Sequence, residues 1–267
     1  MNIQHSTFNI QLPRPDRIFL WMFGVECSVL NVLQFTGGIA RTGACLVAGL
    51  LLGCVTIAQA QSVNPPASVS LEQINQAMAK AGTVFSRFVQ ERHLSLFNEP
   101  LRSEGCLCFQ KPGRIRWEIT SPYKSILVSD GSGVAQFEWA DEKWKKLDLG
   151  LADALQNVVS QIAGVMEGRY ASDRRTYAAS VTNGVEGPVI TLVPQNETMR
   201  KIMAAIEVHL AADLKGTRRV VLRETGGDFT DIRFSDQVAG LVLPSKTFDR
   251  NAPVDVEQIR AAAAERK

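Results

Sequence analysis

Histidine is one of the residue types that this sequence supplies most sparingly, and its scarcity limits the available chemistry. Among 267 residues there are three histidines, and only His93 and His209 lie after residue 60. Neither adjoins a nucleophile or metal motif such as G-x-S-x-G or H-E-x-x-H. The acidic residues are scattered, so no paired-carboxylate site is indicated either. We therefore predict a protein that is not an enzyme, with no catalytic residue, no metal site and no cofactor.

Cysteine and net charge are also low, which excludes two further classes of protein. Of the five cysteines, only Cys106 and Cys108 follow residue 60, so there is no disulfide framework. On a strand their i, i+2 spacing places both on one face, too far apart for bridging without distortion. We interpret them as two outward-facing small apolar side chains. A formal net charge of +2 offers no electrostatic argument for nucleic acid as a partner.

The leading segment lacks an apolar run long enough to span a bilayer, but it has the pattern of a secretory signal. Arg41 is followed by an apolar run from Gly43 to Ile57 and then by Ala58-Gln59-Ala60. A positive charge, a short apolar run and small residues at the cleavage point are the parts of a signal peptide. The run is shorter than the roughly 20 residues of a membrane-spanning helix. We predict that residues 1–60 are a signal peptide with an N-terminal extension, cleaved near Ala60.

A second processing site is present inside the same segment. Leu51-Leu52-Gly53-Cys54 resembles the bacterial lipobox, in which the cysteine is lipidated and tethers the mature protein to a membrane. More apolar residues follow Cys54, which favours cleavage near Ala60 over lipidation.

The chain after residue 60 is dominated by strand patterns separated by short turns. Ser70 can cap a first helix, after which the hydrophobic period changes from helical to two. The predicted helices are Leu71–Lys80, Leu151–Ile162, a short turn at Glu197–Ala205 and an exposed terminal helix at Asp255–Lys267. The predicted strands are Thr83 to the Asn98-Glu99-Pro100 turn, Leu101–Gln110, Arg114–Thr120, Ser125–Ser129, Val134–Trp139, Trp144–Leu149, Tyr177–Val181, Val189–Val193, Ile206–Leu210, Arg218–Glu224 and Phe229–Phe234. Leu241–Phe248 is a further candidate strand.

The strand Arg114–Thr120 alternates most clearly. Its apolar residues are Ile115, Trp117 and Ile119, and its charged residues are Arg114, Arg116 and Glu118. The alternation predicts one apolar face and one wet face. About ten or eleven strands with short connections form an antiparallel sheet that must curl, and a curled sheet has a concave side that helices could cover. We predict a mainly β fold in which residues 61–267 form a single domain.

The segment from Gly105 to Trp117 (G-C-L-C-F-Q-K-P-G-R-I-R-W), followed by Pro122 and by S-I-L-V-S-D-G at 125–131, is the most specific motif in the chain. It resembles the outer-membrane lipoprotein carrier family, LolA. The family pattern has a glycine, an alternating strand, a basic residue before proline, a strand with a tryptophan, a second proline and a strand closing in I-L-V-S-D-G. The resemblance implies an incomplete antiparallel β-barrel with lid helices over an apolar cavity.

The resemblance also implies a site. In the family the basic residue before the proline holds the lid closed, and that position is Lys111 here. The family usually has arginine, and lysine would make a weaker and less directional latch. Residues that alternate with Lys111 along the strand face inward, as do those across the turn. The predicted cavity residues are Phe88, Leu107, Phe109, Ile115, Trp117 and Ile119.

The implied function is that of a periplasmic carrier, which binds the acyl chains of lipoproteins or lipids and shuttles them from the inner to the outer membrane. The implied partners are an acylated cargo, an inner-membrane ATP-driven transporter and an outer-membrane acceptor lipoprotein, with the carrier itself a monomer. Two alternatives keep the fold: a tethered acceptor lipidated at Cys54, and an envelope regulator that binds a partner protein. A hydrolase is the least supported alternative.

Overall fold

The computed structural model describes most of the chain after residue 68. The described residues are 69–80, 82–148, 156, 159–160, 162–164, 166–169, 176–253, 259 and 261. The predicted signal peptide and both of its processing sites lie outside these residues.

Eleven strands form one antiparallel sheet in the order β6-β5-β4-β3-β2-β1-β11-β10-β9-β8-β7. The sheet is open, since its edge strands β6 and β7 are not paired with each other. This confirms the predicted mainly β, incomplete barrel. The strands are β1 Thr83–His93, β2 Leu101–Gln110, β3 Arg114–Ser121, β4 Ser125–Asp130, β5 Val134–Ala140, β6 Lys143–Lys146, β7 Tyr177–Gly184, β8 Gly187–Pro194, β9 Met203–Leu210, β10 Thr217–Glu224 and β11 Phe229–Ala239.

Two meanders, β1 to β6 and β7 to β11, are joined through their first and last strands. β1 pairs with β2 on one side and with β11 on the other, and the register with β11 runs from Val84–Ala239 to His93–Phe229. This long pairing brings the two halves of the chain to one concave face, and it connects residues about 140 apart in the sequence.

The first helix, α1, spans Leu71–Ala79, as predicted. A capping box begins the helix. The backbone N–H of Gln73 donates to Ser70 Oγ (3.3 Å), and the backbone N–H of Ser70 donates to Gln73 Oε1 (2.8 Å). Its residue Ile74 is fully buried against the sheet. The cap and the buried face together explain why this short segment is helical.

The other predicted helices have mixed outcomes. The helix α2 is Glu197–Arg200 and is shorter than predicted, because β9 already begins at Met203. Of the predicted helix 151–162, residues 151–155, 157, 158 and 161 lie outside the described part, while residues 156, 159, 160, 162–164 and 166 are helical and are called the second helical region. At the C-terminus residues 259 and 261 are helical, but Ile259 is buried rather than exposed.

The prediction of a strand at Leu241–Phe248 is wrong. This stretch has turns and irregular backbone, and it begins after Gly240, whose φ is 72°. Leu241 and Phe248 are nevertheless buried, because they pack on the outer face of the sheet. Their burial comes from side-chain packing rather than from pairing in the ladder.

The outer face carries a hydrophobic cluster of its own beneath this C-terminal stretch. Its members are Phe85, Cys106, Cys108, Ile126, Val128, Ala135, Phe137, Leu241, Phe248 and Ile259. Cys106 and Cys108 lie on the outer face and are not joined by a disulfide, as predicted, but both are fully buried under this stretch. Burial raises the pKa of the Cys108 thiol well above its usual value, which keeps that sulfur unreactive.

The prediction of a wet face on β3 is wrong for the same reason. Arg116 and Glu118 are only 1% and 4% exposed. The Arg116 guanidinium donates to Glu118 Oε2 from Nη2 (2.7 Å) and Nε (3.0 Å), and Nη1 donates to the Thr247 carbonyl (3.4 Å). A buried charge pair is tolerated only when its remaining polar atoms are satisfied in this way. The C-terminal stretch thus completes the hydrogen bonding of a pair that it also covers.

Arg250 fastens the C-terminal stretch to the turn after β4. Its Nε donates to Asp130 Oδ2 at 2.6 Å. Desolvation raises the pKa of Asp130, but hydrogen bonds from Ser132, Arg250 and the Gly133 N–H outweigh it and lower the pKa to about 2. The charged carboxylate is therefore the form that the folded protein stabilises.

We expect replacement of Asp130 by asparagine to destabilise the protein in a pH-dependent manner. The folded pKa of about 2 lies below the unfolded value of about 3.9, so the contribution is present above about pH 4 and is lost as the pH falls through about 2. After allowance for solvent screening, about 1 kcal/mol would lower the Tm by about 2 to 4 °C at pH 6. Thermal unfolding between pH 2 and pH 6 measures this.

The exposed Asp148 supplies the matched control, as Asp148→Asn. A Tm difference between wild type and Asp130→Asn that stays constant from pH 6 to pH 2 would contradict the assignment of this ion pair.

Candidate functional site

A cavity of about 130 Å³ lies between the inner face of the sheet and the helices. Its wall is apolar and is contributed by both meanders. The strand residues that form most of this wall are Leu107, Trp117, Ile206, Val208, Leu222 and Ile232. The helices close it with Ala77 and Met78 of α1 and with Ile162 and Met166 of the second helical region. A pocket with these walls suits an aliphatic chain rather than a polar ligand.

Trp117 is the largest side chain in the wall, and two phenylalanines hold it in place. Its ring stacks on Phe88 at 4.1 Å between centroids and meets Phe234 edge-on at 6.4 Å. Gly105 makes room for this arrangement, because a Cβ there would lie 2.6 Å from Phe88 Cζ and 1.9 Å from the Glu118 carbonyl oxygen. The glycine of the sequence motif therefore permits the aromatic packing of the wall.

The six residues predicted for the cavity all belong to the same buried cluster on the inner face. Leu107 and Trp117 line the cavity itself. Phe88, Phe109, Ile115 and Ile119 are buried beside them without lining it. The structure thus brings the six together but gives only two of them direct access to the cavity.

Sequence reasoning missed the half of the wall that comes from β9, β10 and β11. These residues include Ile206, Val208, Val220, Leu222, Ile232 and Phe234. The specific motif lies entirely in β2 to β4, and the partner of β1 at the far end of the chain is not visible in local patterns. The strand alternation of Ile206–Leu210 was the available signal, since it shows which side chains share a face.

Lys111 contacts the C-terminus of α1 from the β2–β3 turn. Its Nζ donates to the carbonyl oxygens of Ala79 (2.7 Å) and Met78 (3.2 Å). The last carbonyls of a helix have no partner within the helix, and they favour a cation there. Burial lowers the pKa of the Lys111 ammonium, and the nearby Glu167 carboxylate opposes this shift.

A second contact joins the same turn to Glu167, which directly follows the second helical region. The Gly113 N–H donates to Glu167 Oε1 at 2.8 Å, and Arg169 Nε lies 3.0 Å from Glu167 Oε2. Gly168 has a φ of 76°, and a Cβ there would come within 2.9 Å of the Asn75 carbonyl, so this region packs closely on α1. Glu167 was not predicted from the sequence, because its partner is a backbone amide.

The start of α1 is tethered on the opposite side of the sheet. The Val69 N–H donates to Asn183 Oδ1 at 2.9 Å, near the end of strand β7. The helix therefore crosses the mouth of the half-barrel from β7 to the β2–β3 turn, with a contact at each end. This is the geometry of a lid.

Two other kinds of site are not found in the described part of the chain. It contains no group of three or more His, Cys, Asp or Glu residues placed to hold a metal ion. No helix among the described residues is both long enough and apolar enough to cross a membrane.

Comparison with known proteins gives a consistent family. The family model described as "Outer membrane lipoprotein carrier protein LolA" matches residues 79–251. Two curated proteins named outer-membrane lipoprotein carrier protein are similar to this chain. The one from Aeromonas salmonicida is 27% identical, covering 78% of this chain and 96% of the relative, and the one from Methylococcus capsulatus is 28% identical, covering 69% and 85%.

Solved structures with a similar fold have low sequence identity. A LolA superfamily protein from Nitrosomonas europaea is 10% identical, with a TM-score of 0.39, covering 68% of this chain and 98% of that one. A complex of MucA and MucB from Pseudomonas aeruginosa includes a chain that is 18% identical, with a TM-score of 0.33, covering 67% and 59%.

We expect Lys111 to control how often the lid opens. Lys111→Met keeps the stem but removes the donor, and loss of about 1 kcal/mol of hydrogen bonding would raise the amide hydrogen-exchange rate of α1 about fivefold. Lys111→Arg keeps the charge and adds a planar fork, so it would slow this exchange several-fold. Hydrogen exchange of residues 71–79, followed by mass spectrometry, measures both rates.

Lys146→Met, on the exposed edge strand β6, is the control and should leave the rate unchanged. Equal rates for all four proteins would show that Lys111 does not hold the lid.

Proposed function

This chain belongs to the LolA family of outer-membrane lipoprotein carriers, and from that premise we propose that it is a periplasmic carrier for the acyl chains of lipoproteins or lipids. The observation that carries the proposal is an apolar cavity beneath a lid that is tethered by hydrogen bonds on both sides of the sheet. Leu107 and Trp117 would touch the cargo. Phe88, Phe109, Ile115 and Ile119 form the wall behind them.

The size of the cavity supports a closed, cargo-free state. Its volume is about 130 Å³, and an engineered apolar cavity of about 150 Å³ holds no more than a benzene-sized ligand. A long acyl chain therefore requires movement of the lid or of the wall. Cargo binding would replace contacts between the helices and the sheet by contacts between acyl chain and sheet.

The chemistry of the cargo explains why a carrier needs partners. Each methylene moved out of water gains about 0.8 kcal/mol, so a long chain cannot leave into water at a useful rate. Cargo would pass directly from an inner-membrane ATP-driven transporter to this carrier, and from the carrier to an outer-membrane acceptor lipoprotein. A monomer with a pocket no more apolar than a bilayer suits both transfers.

The latch is suited to reversible opening. Lys111 makes a point-charge contact instead of an arginine fork, and burial lowers its pKa, so the ammonium is less favoured there than in water. Glu167 adds one hydrogen bond from the opposite helical region. Cargo contacts of a few kcal/mol can displace a closure of this strength.

Export would follow from the leading segment. We propose that residues 1–60 are removed and that residues 61–267 form the mature carrier domain. Lipidation at Cys54 is the alternative, and it would produce a tethered acceptor in place of a diffusing carrier. Labelling cells with a fatty-acid analogue distinguishes the two, because only the lipidated form would carry the label covalently.

Filling the cavity tests the proposed function. Val220 lines the cavity and is only partly buried, so Val220→Trp would place an indole where the acyl chain is expected to lie. We expect the affinity for cis-parinaric acid to fall at least tenfold with the Tm nearly unchanged. Equilibrium fluorescence titration and thermal unfolding measure the two quantities.

Val193→Trp is the matched control, because Val193 is 40% exposed on β8 and does not line the cavity. Full affinity in Val220→Trp would contradict the assignment of this cavity as the binding site.

A further inference from the structure

The sheet has a discontinuity beside the cavity, where β10 and β11 stop pairing. Their ladder ends at the pair Arg219–Arg233. β11 continues to Ala239 and pairs with β1 along its whole length. From Ser235 onward, β1 is therefore its ladder partner on one side, and the ladder with β10 on the other side has ended. Residues on both sides of this gap, Thr217 and Gln237, line the cavity. The gap therefore lies between the cavity and the outside of the sheet.

A β-bulge directs Gln237 into the gap. Between the register pairs Arg87–Ser235 and Phe85–Val238, β1 contributes one residue and β11 contributes two, Asp236 and Gln237. Asp236 has a φ of 51°, which is the left-handed conformation. Bulges of this kind turn a side chain away from its regular position and are common beside functional sites. Here the Gln237 side-chain amide donates to the Thr217 carbonyl across the gap.

Gly216, in the loop before β10, leaves space for the Gln237 side chain. A Cβ at Gly216 would lie 2.2 Å from Gln237 Oε1, so a larger residue would push the glutamine out. The rim around this contact is mixed, with Leu214 and Phe234 on the apolar side and Lys215 on the polar side. Such a rim suits an acyl chain that ends in a polar ester or amide group.

We propose that this gap is a lateral portal through which an acyl chain enters and leaves the cavity, with Gln237 as the residue that closes it. The inference rests on the proposed function and specifies its route. Opening the portal would rotate one exposed side chain and break one hydrogen bond. Lifting α1 would break the contacts of Lys111 and Val69 and expose the buried Ile74. Opening the portal therefore breaks fewer hydrogen bonds and exposes less buried surface than lifting α1.

Substitution of Gln237 separates passage from binding. Gln237→Ala should raise the association and dissociation rates of cis-parinaric acid by the same factor, about fivefold, and leave Kd within about twofold. Gln195→Ala is the control, since Gln195 also donates to a strand carbonyl, that of Val193, but lies away from the cavity. Association and dissociation rates of Gln237→Ala equal to those of the wild type would overturn the portal.

A covalent bridge gives the opposite test. In a Cys106→Ala/Cys108→Ala background, Gly216→Cys/Gln237→Cys would be bridged with dibromobimane, and loading should slow at least tenfold relative to the same protein unbridged. Ser180→Cys/Thr191→Cys bridges β7 and β8, which are already paired, so its loading rate should not change. A second arm uses vesicles carrying either a fluorescent triacylated lipopeptide or a fluorescent phospholipid, which distinguishes the two sources of acyl chains.

The outcomes separate the two hypotheses. Normal loading of the bridged Gly216→Cys/Gln237→Cys protein would overturn the portal while the carrier function stands. Failure of the unbridged protein to take up any acyl probe would overturn the carrier function and the portal together.

Discussion

The pairing of β1 with β11 is the interaction on which the rest of the structure depends. It joins the first strand of one meander to the last strand of the other, and only this ladder places Leu107 and Trp117 opposite Ile206 and Val208. Without it, two half-walls would each expose an apolar face to water. The cavity therefore depends on the pairing of two strands that are far apart in the sequence. A sheet of this width must curl, and it curls around the cavity.

Each face of the sheet then needs its own cover, and the two covers differ in kind. On the inner face, α1 and the second helical region meet the sheet through a few hydrogen bonds around an incompletely filled space. On the outer face, the stretch after Gly240 packs on a filled cluster and completes the Arg116–Glu118 pair. In the proposed function, loose packing inside would allow exchange of cargo, and dense packing outside would keep the first meander in place during that exchange.

Local chemistry predicts much of this fold. Turns marked by proline and glycine divide the strands, and the bounds of Leu101–Gln110 agree with observation to the residue. The predictions that failed concern contacts between residues far apart in the sequence. The local sequence predicts that Arg116 and Cys108 are surface residues. The stretch that buries them begins after Gly240, more than a hundred positions later, and nothing near them in the sequence indicates it. The same holds for Glu167 and Gln237, whose partners are backbone groups of other strands and turns, and for Leu241–Phe248, whose apolar residues pack without pairing.

Identification of the cargo is the most direct test of whether the cavity carries acyl chains. The protein would be produced in a bacterial periplasm, purified without detergent, and analysed by mass spectrometry both intact under native conditions and as an organic extract. We expect a bound acylated species in a fixed stoichiometric ratio to the protein. Protein that is reproducibly empty, although an apolar dye still enters its cavity, would show that the cavity is not a carrier site for acyl chains.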